Sequence, residues 1–279
     1  MAFEPTPLRL ALAALLLLLT TIFLRILAIL PSRRPPAPPR TSPAHILIVL
    51  GSGGHTAEML SMIRHLSPER YIYRTYLVSS GDAFSTLKAI DFERGLTGVE
   101  TTMVVDGKET GVVRGEGFEI LTVPRARRIH QPLWTAPFTS LLCLLSCLRF
   151  LSPTHRRPRL PTNSGGHKTY TPTTPDLILT NGPATGVLVL IATFILRFFG
   201  VINPQKGARC VYVESWARVG GLSLSGRIVE GLGLVERFLV QWEKGLGGDG
   251  EGEEEDVVEG GEVVGKRKGG REWRGFLVE

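Results

Sequence analysis

Hydrophobic positions form one long stretch near the N-terminus and then recur in short runs separated by glycine, proline and charged residues. The long stretch covers residues 8–30, in which only Arg9 and Arg25 are charged. As a helix it would extend roughly 35 Å, enough to cross a hydrocarbon core of about 30 Å. We predict a membrane anchor within residues 1–30, with both arginines reaching the lipid headgroups. A cleaved signal peptide is the alternative, although no small-residue cleavage site precedes Pro31.

Positive charge follows this stretch. Arg33, Arg34 and Arg40 come after it, whereas only Arg9 and the amino terminus precede its apolar centre. The positive-inside rule therefore places the rest of the chain in the cytosol. Residues 31–43 are rich in proline, so we expect a stiff, extended spacer between the anchor and the following domain.

The remaining hydrophobic runs follow two periodicities. Short apolar runs predict strands at residues 45–50, 71–79, 118–123, 176–180, 209–213 and 238–240. Apolar residues at helical spacing predict helices at residues 57–66, 83–94, 134–151 and 187–199. Residues 101–117 have neither period, and we expect an irregular loop there.

Strands that alternate with helices predict a parallel sheet covered by helices on both faces. We expect one Rossmann-like α/β domain at residues 44–245, with a disordered insert at 154–175. The acidic, glycine-rich segment 246–270 is also expected to be disordered, and residues 271–279 form a short C-terminal tail. Ligands of such sheets bind at the carboxyl ends of the strands.

Two of the predicted helices, at residues 134–151 and 187–199, are more apolar than ordinary surface helices. Each is shorter than the roughly 20 residues that a membrane span requires. Packing in the core and contact of their outer faces with a membrane both remain open.

Composition narrows the class of protein. Hydrophobic residues make up 43% of the 279 residues, which excludes a disordered chain, and the three cysteines lie in apolar surroundings typical of reduced thiols. The net charge of +6 combines a basic excess near the N-terminus with an acidic cluster after Asp249. A basic excess beside an apolar stretch favours a membrane surface or a phosphate ligand. No basic run is interleaved with aromatic residues, so we do not expect nucleic acid as a ligand. The sequence has no HExxH or paired Cys-x-x-Cys motif, so we do not expect a bound metal.

A glycine-rich loop follows the first predicted strand of the domain. Glycines let the backbone approach a ligand closely, and the following helix directs N–H groups and the positive end of its dipole at an anion. The loop lacks the third glycine of the dinucleotide fingerprint. We expect a phosphate-binding loop rather than a simple tight turn, formed by Gly51, Ser52, Gly53, Gly54 and Thr56.

His55 lies at the end of this loop. A neutral imidazole there can accept a proton as a general base or hydrogen-bond a phosphate oxygen. A histidine that only fixes the loop is the alternative.

Polar residues also follow the other predicted strands. Arg125 and Arg127 offer guanidinium groups for a pyrophosphate or an anionic lipid, although a solvated basic turn explains them equally well. Asn181 and Gly182 form a sharp turn before an apolar helix. The last loop contains Glu214, Ser215 and Arg218, of which Glu214 and Arg218 either pair with each other or face a ligand.

Six motifs resemble one known family, the membrane-anchoring subunit of the bipartite UDP-N-acetylglucosamine transferase of asparagine-linked glycosylation. They occur in that family's order: LIVLGSGGHTAEML from Leu47, PRAR from Pro124, LTNGP from Leu179, YVESWAR from Tyr212, LSLSG from Leu222 and FLVQW from Phe238. The N-terminal anchor fits the same family.

This resemblance implies a MurG-like glycosyltransferase of the two-domain GT-B type that is divided between two chains. The present chain would be the acceptor-binding N-terminal half, and a soluble subunit would bind UDP-GlcNAc and dock at the cytosolic face of the endoplasmic reticulum. Together they would add the second GlcNAc to GlcNAc-pyrophosphoryl-dolichol, without a cofactor. The enzyme of the preceding GlcNAc-phosphate transfer is a further expected neighbour.

The resemblance also assigns roles to residues. The glycine loop would hold the acceptor pyrophosphate, His55 would help to deprotonate the acceptor hydroxyl, and Arg125 and Arg127 would face the lipid-linked phosphates. The apolar tail residues Phe276, Leu277 and Val278 would dock on the partner. The size of the chain agrees, because roughly 190 core-forming residues suffice for one such sheet but not for two.

Two other functions compete with this one. A membrane scaffold without any catalytic residue would not need an intact glycine loop. A membrane-tethered nucleotide-binding oxidoreductase is opposed by Thr56, which stands where the fingerprint requires glycine.

Overall fold

The computed structural model describes most of the chain. The described residues are 6–35, 43–97, 104–106, 112–127, 131–132, 134–155, 157, 160–161, 169–246, 255–259, 262–268 and 270–274. The predicted tail residues Phe276, Leu277 and Val278 lie outside this part of the chain.

Six α-helices and thirteen strands occur in the described residues. The helices are α1 Pro7–Ile29, α2 Gly54–Met62, α3 Ala83–Thr97, α4 Ala136–Leu151, α5 Ala184–Phe198 and α6 Leu224–Gly231, with 3-10 turns at Pro31–Arg33 and Glu243–Leu246. The strands are β1 His45–Val49, β2 Tyr73–Ser79, β3 Val104–Asp106, β4 Val112–Gly115, β5 Phe118–Val123, β6 Leu160–Pro161, β7 Thr169–Tyr170, β8 Leu177–Asn181, β9 Arg209–Val213, β10 Arg237–Val240, β11 Glu255–Glu259, β12 Glu262–Lys268 and β13 Arg271–Trp273.

The centre of the sheet is parallel. Its strands lie in the order β5-β2-β1-β8-β9-β10-β13, and each neighbouring pair in this series is parallel. The first six strands therefore follow the 3-2-1-4-5-6 order of the Rossmann fold. The order reverses between β1 and β8, where ligands of this fold bind. The predicted Rossmann-like α/β domain is confirmed.

Alternate residues of β1 reach opposite faces of the sheet, as the pleat of a strand requires. Ile46 and Ile48 belong to the core cluster that contains Met59 of α2 and Ile90 of α3. Leu47 and Val49 belong to the other cluster, whose helical members come from α4, α5 and α6. Burial on both faces explains why β1 reads as a continuous apolar run.

Two segments expected to be irregular contribute strands, one at each edge of the sheet. Residues 101–117 contain β3 and β4, which pair with each other and, through β4, with β5 in antiparallel register. Their β-branched valines suit a strand, and the backbone partner is the open edge of β5. The prediction of an irregular loop was therefore wrong for these residues.

The segment 246–270 also differs from the expectation of disorder. Strands β11 and β12 form an antiparallel hairpin, and β12 pairs with β13, which lies parallel to β10. Strand β13 pairs with the edge of β10 and offers its own free edge to β12, so this acidic stretch has backbone partners that its composition does not reveal.

The expected disordered insert at 154–175 likewise contains defined contacts. Arg157 is buried, and its guanidinium donates to Glu119 Oε1 over 3.0 Å and to the carbonyl oxygen of Phe150 over 2.8 Å. A buried ion pair holds this part of the insert against β5. Strands β6 and β7 pair within the same segment.

The junction between α1 and the domain is packed, which differs from the expected extended spacer. Arg34 is buried and donates to the carbonyl oxygens of Gly207 over 2.7 Å and Ala208 over 2.9 Å, and it pairs with Glu236. Arg25 donates to the carbonyl oxygen of Phe198 over 2.9 Å rather than extending toward headgroups. The C-terminal carbonyls of α5 lack intrahelical partners, and they attract this cation. We call Arg25 and Arg34 the anchor clamp.

Candidate functional site

Two loops meet at the point where the strand order reverses. The glycine loop, residues 51–54, joins β1 to α2, and residues 182–183 join β8 to α5. Gly53 has a φ of 62° and precedes the first residue of α2. Additional Cβ atoms on Gly53 and Gly54 would have no neighbour within 4 Å. Their backbone is therefore open to a ligand, as an anion-binding helix start requires.

Thr56 does not share this open position. Its side chain is buried, and its hydroxyl donates to the carbonyl oxygen of Gly51 and lies 2.6 Å from Oγ of Ser85. Ser85 in turn donates to Asp82 over 2.7 Å. The Thr56 hydroxyl thus fixes the base of the loop, and a contact of Thr56 with pyrophosphate stays a prediction.

His55 packs directly on Gly182. A Cβ atom on Gly182 would lie 2.6 Å from Cε1 of His55 and 3.0 Å from its Nδ1, and Gly182 has a φ of 56°. Only glycine meets both the left-handed backbone and the close approach of the ring. The amide of Asn181 donates to the carbonyl oxygen of His55 over 3.0 Å. The two predicted loops therefore form one site, with the His55 side chain 37% exposed.

Glu58 connects this site to the ends of two further strands, β9 and β10. Its Oε1 accepts the backbone N–H of Trp216 over 2.7 Å and a hydrogen bond from the amide of Gln241. Its Oε2 accepts from Ser215 over 3.1 Å and from Asn181 over 3.3 Å. Strand β8 and the loops after β9 and β10 thus converge on one buried carboxylate of α2.

The same carboxylate faces the imidazole. Oε2 of Glu58 lies 3.6 Å from Nδ1 of His55. Burial acts to raise the pKa of Glu58, but the neighbouring His55 imidazole and hydrogen bonds from Trp216, Gln241 and Ser215 outweigh it and lower that pKa below its ordinary value. Glu58 is therefore held ionised beside the ring, where it can orient Nδ1 and leave Nε2 directed elsewhere.

Sequence reasoning missed Glu58 and Gln241 as site residues. A spacing of three places Glu58 on the same helical face as His55, which is the pattern that identifies it. Gln241 directly follows β10 and is buried, and a polar residue at the carboxyl end of a strand is the corresponding indication.

Glu214 has a structural partner. It is buried, and its Oε2 accepts the backbone N–H and the hydroxyl of Ser223, each over 3.1 Å, at the start of α6. A Cβ atom on Gly226 would collide with the same oxygen. The Arg218 side chain is exposed, whereas Ser215 contacts Glu58. Of the three predicted residues in this loop, Ser215 contacts the carboxylate that faces His55.

Arg125 and Arg127 lie at the same edge of the sheet. Nε of Arg125 donates to the carbonyl oxygen of Ser80 over 2.8 Å, which connects the ends of β5 and β2. Arg127 donates to the carbonyl oxygen of Gln131 over 3.1 Å. Arg127 is exposed and Arg125 is half-buried, so their positive charge remains available to a ligand. No group of three or more candidate metal ligands occurs in the part of the chain that the structure describes.

A family model described as oligosaccharide biosynthesis protein Alg14 like matches residues 46–247. The chain belongs to the Alg14 family. The match begins in β1 and includes both glycine turns, His55, Glu58 and Gln241. The predicted family resemblance is confirmed.

Named relatives agree with this membership. Proteins called UDP-N-acetylglucosamine transferase subunit alg14 in Aspergillus fumigatus and ALG14 in Cryptococcus neoformans are similar to this chain. The Aspergillus protein is 37% identical over 66% of this chain and 90% of its own length. The Cryptococcus protein is 34% identical over 81% of this chain and 86% of its own length. The ALG14 protein of Rattus norvegicus is 32% identical over 79% of this chain and 84% of its own. The names of these relatives describe them as subunits of a UDP-N-acetylglucosamine transferase. Its helix α1 is long and apolar enough to cross a membrane.

Proposed function

We propose that this chain is the membrane-anchored, acceptor-binding subunit of a UDP-GlcNAc transferase. The complex adds the second GlcNAc to GlcNAc-pyrophosphoryl-dolichol. The observation that carries the proposal is the open glycine loop at the reversal of strand order, with His55 held between Gly182 and Glu58.

The loop supplies the pyrophosphate site. The open backbone at Gly53 and Gly54 lets their N–H groups bind phosphate oxygens, and the start of α2 contributes its dipole. Arg125 and Arg127 add positive charge at the same edge of the sheet. Gly51 and Ser52 complete the loop, while Thr56 holds its base.

His55 serves as the general base. The acceptor hydroxyl transfers its proton to Nε2 of His55 while its oxygen forms the bond to the anomeric carbon of GlcNAc. UDP leaves with the electrons of the broken bond. Glu58 acts as a positioning residue, because its carboxylate faces Nδ1 and stabilises the positive charge that develops on the ring.

A separate soluble subunit supplies the UDP-GlcNAc site. One Rossmann-like sheet is half of a GT-B enzyme, so the donor half comes from another chain. Strand β13 is parallel to β10, and its carboxyl end therefore lies at the same edge as the glycine loop. The described part of the chain ends at Arg274, just after β13, and we assign docking of the partner to Phe276, Leu277 and Val278, which follow in the sequence.

The location follows from α1 and the flanking charge. We place α1 in the endoplasmic reticulum membrane and the domain in the cytosol, in agreement with Arg33 and Arg34 after the helix. We place the enzyme of the preceding GlcNAc-phosphate transfer beside it, because that enzyme produces the lipid-linked acceptor.

The deciding experiment measures GlcNAc transfer from UDP-GlcNAc to a GlcNAc-pyrophosphoryl-lipid. Membranes carry this chain alone, the soluble partner alone, both, or both with His55→Ala. His65→Ala is the matched control, because His65 is exposed beyond the end of α2. We expect activity only when both chains are present. His55→Ala should reduce it roughly 10²-fold or more, whereas His65→Ala should leave it unchanged.

Co-purification with the partner separates the two alternatives. An inactive His55→Ala chain that still binds the partner supports chemistry at His55. Full activity of this variant would leave the chain as a scaffold and acceptor platform. Activity of the partner alone would contradict the whole proposal.

A further inference from the structure

The outer surface of helix α4 is apolar although it is exposed. Phe138, Leu141, Leu142 and Leu145 follow the i, i+3, i+4, i+7 spacing and are exposed, with Phe138 at 76% and Leu145 at 53%. The opposite side of the helix buries Cys143 and Cys147 in the core. A helix that is apolar all round is typical of a protein interior or a membrane.

Helix α5 continues this surface. It packs beside α4, and Leu188, Ile191 and Phe194 are only partly buried on its outer side. Arg197 is the single charged residue of α5, and its side chain is buried. We call the outer sides of α4 and α5 the apolar face.

The helix layer on the other face of the sheet, which includes α3, has charged residues on its outer surface. Helix α3 exposes Lys88, Asp91 and Arg94 alongside Phe84 and Leu87. The two layers cover the same sheet, so the contrast indicates that the outer surface of one layer meets an environment other than water.

Helix α1 identifies that environment. Arg25 of α1 donates to the carbonyl oxygens of Arg197 and Phe198 at the end of α5. The helix that is able to cross a membrane is therefore fixed to the layer that carries the apolar face. Positive charge flanks this face at Arg149 in the last turn of α4 and at Arg127, which binds Gln131 just before the helix. Such a pattern suits a surface with anionic headgroups at its border.

We propose that the apolar face rests in the interfacial region of the same bilayer that α1 crosses. The proposal rests on the membrane anchoring of the proposed function and adds a second, non-spanning contact. It places the carboxyl edge of the sheet, where α4 begins, next to the lipid from which a lipid-linked acceptor would arrive.

The test uses the full chain in proteoliposomes with single cysteine variants that carry an environment-sensitive fluorophore. The native cysteines at 143, 147 and 210 are fully buried and do not compete for labelling. Phe138→Cys and Leu145→Cys report on the apolar face. Their matched controls are Phe84→Cys and Leu87→Cys on α3, which are 52% and 61% exposed. Leu16→Cys reports on α1.

Quenching by nitroxide-labelled acyl chains is compared with quenching by aqueous iodide. We expect severalfold stronger lipid quenching at 138 and 145 than at 84 and 87, and the reverse order with iodide. Equal behaviour of the two layers, with Leu16→Cys still quenched by lipid, would overturn the proposal. Protection of α4 from both quenchers would also overturn it, since a protein surface would then cover the face. Failure of lipid quenching at position 16 would instead contradict the anchoring itself.

A second measurement needs no substitution. Photoactivatable phospholipids should label peptides of α1 and α4 in the wild-type chain but not those of α3. Labelling of α1 without α4 would contradict the apolar-face proposal.

Discussion

Gly182 lies directly beneath the imidazole of His55, so closely that one additional methyl group would reach within 2.6 Å of Cε1. The two residues are far apart in sequence and come from loops on either side of the reversal in strand order. This contact decides where the ring can point, and several predictions depend on it.

Gly182→Ala should reduce transfer by roughly 10²-fold, because displacement of a reacting group by about 1 Å has an effect of that size. The alanine also adopts a left-handed backbone at a cost of about 1–2 kcal/mol. Gly81→Ala is the matched control, since Gly81 has a φ of 75° but open space around a new Cβ. Steady-state rates of both variants with the partner subunit test this. Equal losses in the two would attribute the effect to backbone strain alone.

Glu58→Gln should lower kcat by roughly 10²-fold and leave the KM for UDP-GlcNAc nearly unchanged. The amide removes the negative charge opposite Nδ1 of His55 and replaces one acceptor oxygen by a donor. Glu69→Gln is the control, because Glu69 is exposed in the loop before β2. A rise in KM for the donor with unchanged kcat would contradict a positioning role.

Stability should fall steadily as the pH drops below about 6.5. Burial raises the pKa of Glu119, but His155, Arg157 and Thr75 outweigh it and lower that pKa to about 2. Glu119 therefore contributes on the order of 3 kcal/mol to the free energy of unfolding. This contribution is complete above pH 4.5, the ordinary pKa, and is lost as the pH approaches 2. Burial also lowers the pKa of His45 to about 3. Below about 6.5 the unfolded chain therefore binds a proton that the folded chain does not.

Urea unfolding between pH 7 and pH 3 measures this dependence. Glu119→Gln should be less stable at pH 7, since Arg157 then loses its buried partner, and should depend less on pH. Identical slopes for this variant and the wild-type chain would assign the acid sensitivity to other groups.

Arg34→Ala should destabilise the domain by about 3 kcal/mol or more, because its removal leaves Glu236 with one fewer cation and frees buried carbonyls. Arg33→Ala, which changes an exposed neighbour, should stay within about 0.5 kcal/mol. Thermal unfolding in lipid nanodiscs compares the two. Equal midpoints would mean that the anchor clamp does not stabilise the fold.

The parallel core and its main loop were predictable from local pattern. The apolar run at β1, the glycines after it and the helical spacing of α2 lie within a short stretch of chain. Strands β3, β4, β11 and β12 were missed because each depends on a backbone partner at a sheet edge formed by other residues.

Within the site, too, residues of a local motif were predictable, and residues that depend on distant parts of the chain were not. His55 and its glycines stand out within one motif. Glu58 does not, because Asn181, Ser215 and Gln241 reach it from more than a hundred residues away. The contact of Thr56 with Ser85 is hidden from the motif for a related reason, as Ser85 comes from another helix.

The anchor clamp has a consequence for how a lipid-linked acceptor is found. Arg25 and Arg34 hold the domain at the end of α1, so a helix crossing a bilayer would keep the glycine loop at a constant height above it. An acceptor in the same bilayer then approaches by lateral diffusion alone. Encounter frequency would depend on the number of acceptor molecules per area of membrane, and the chain would sample a plane instead of a volume.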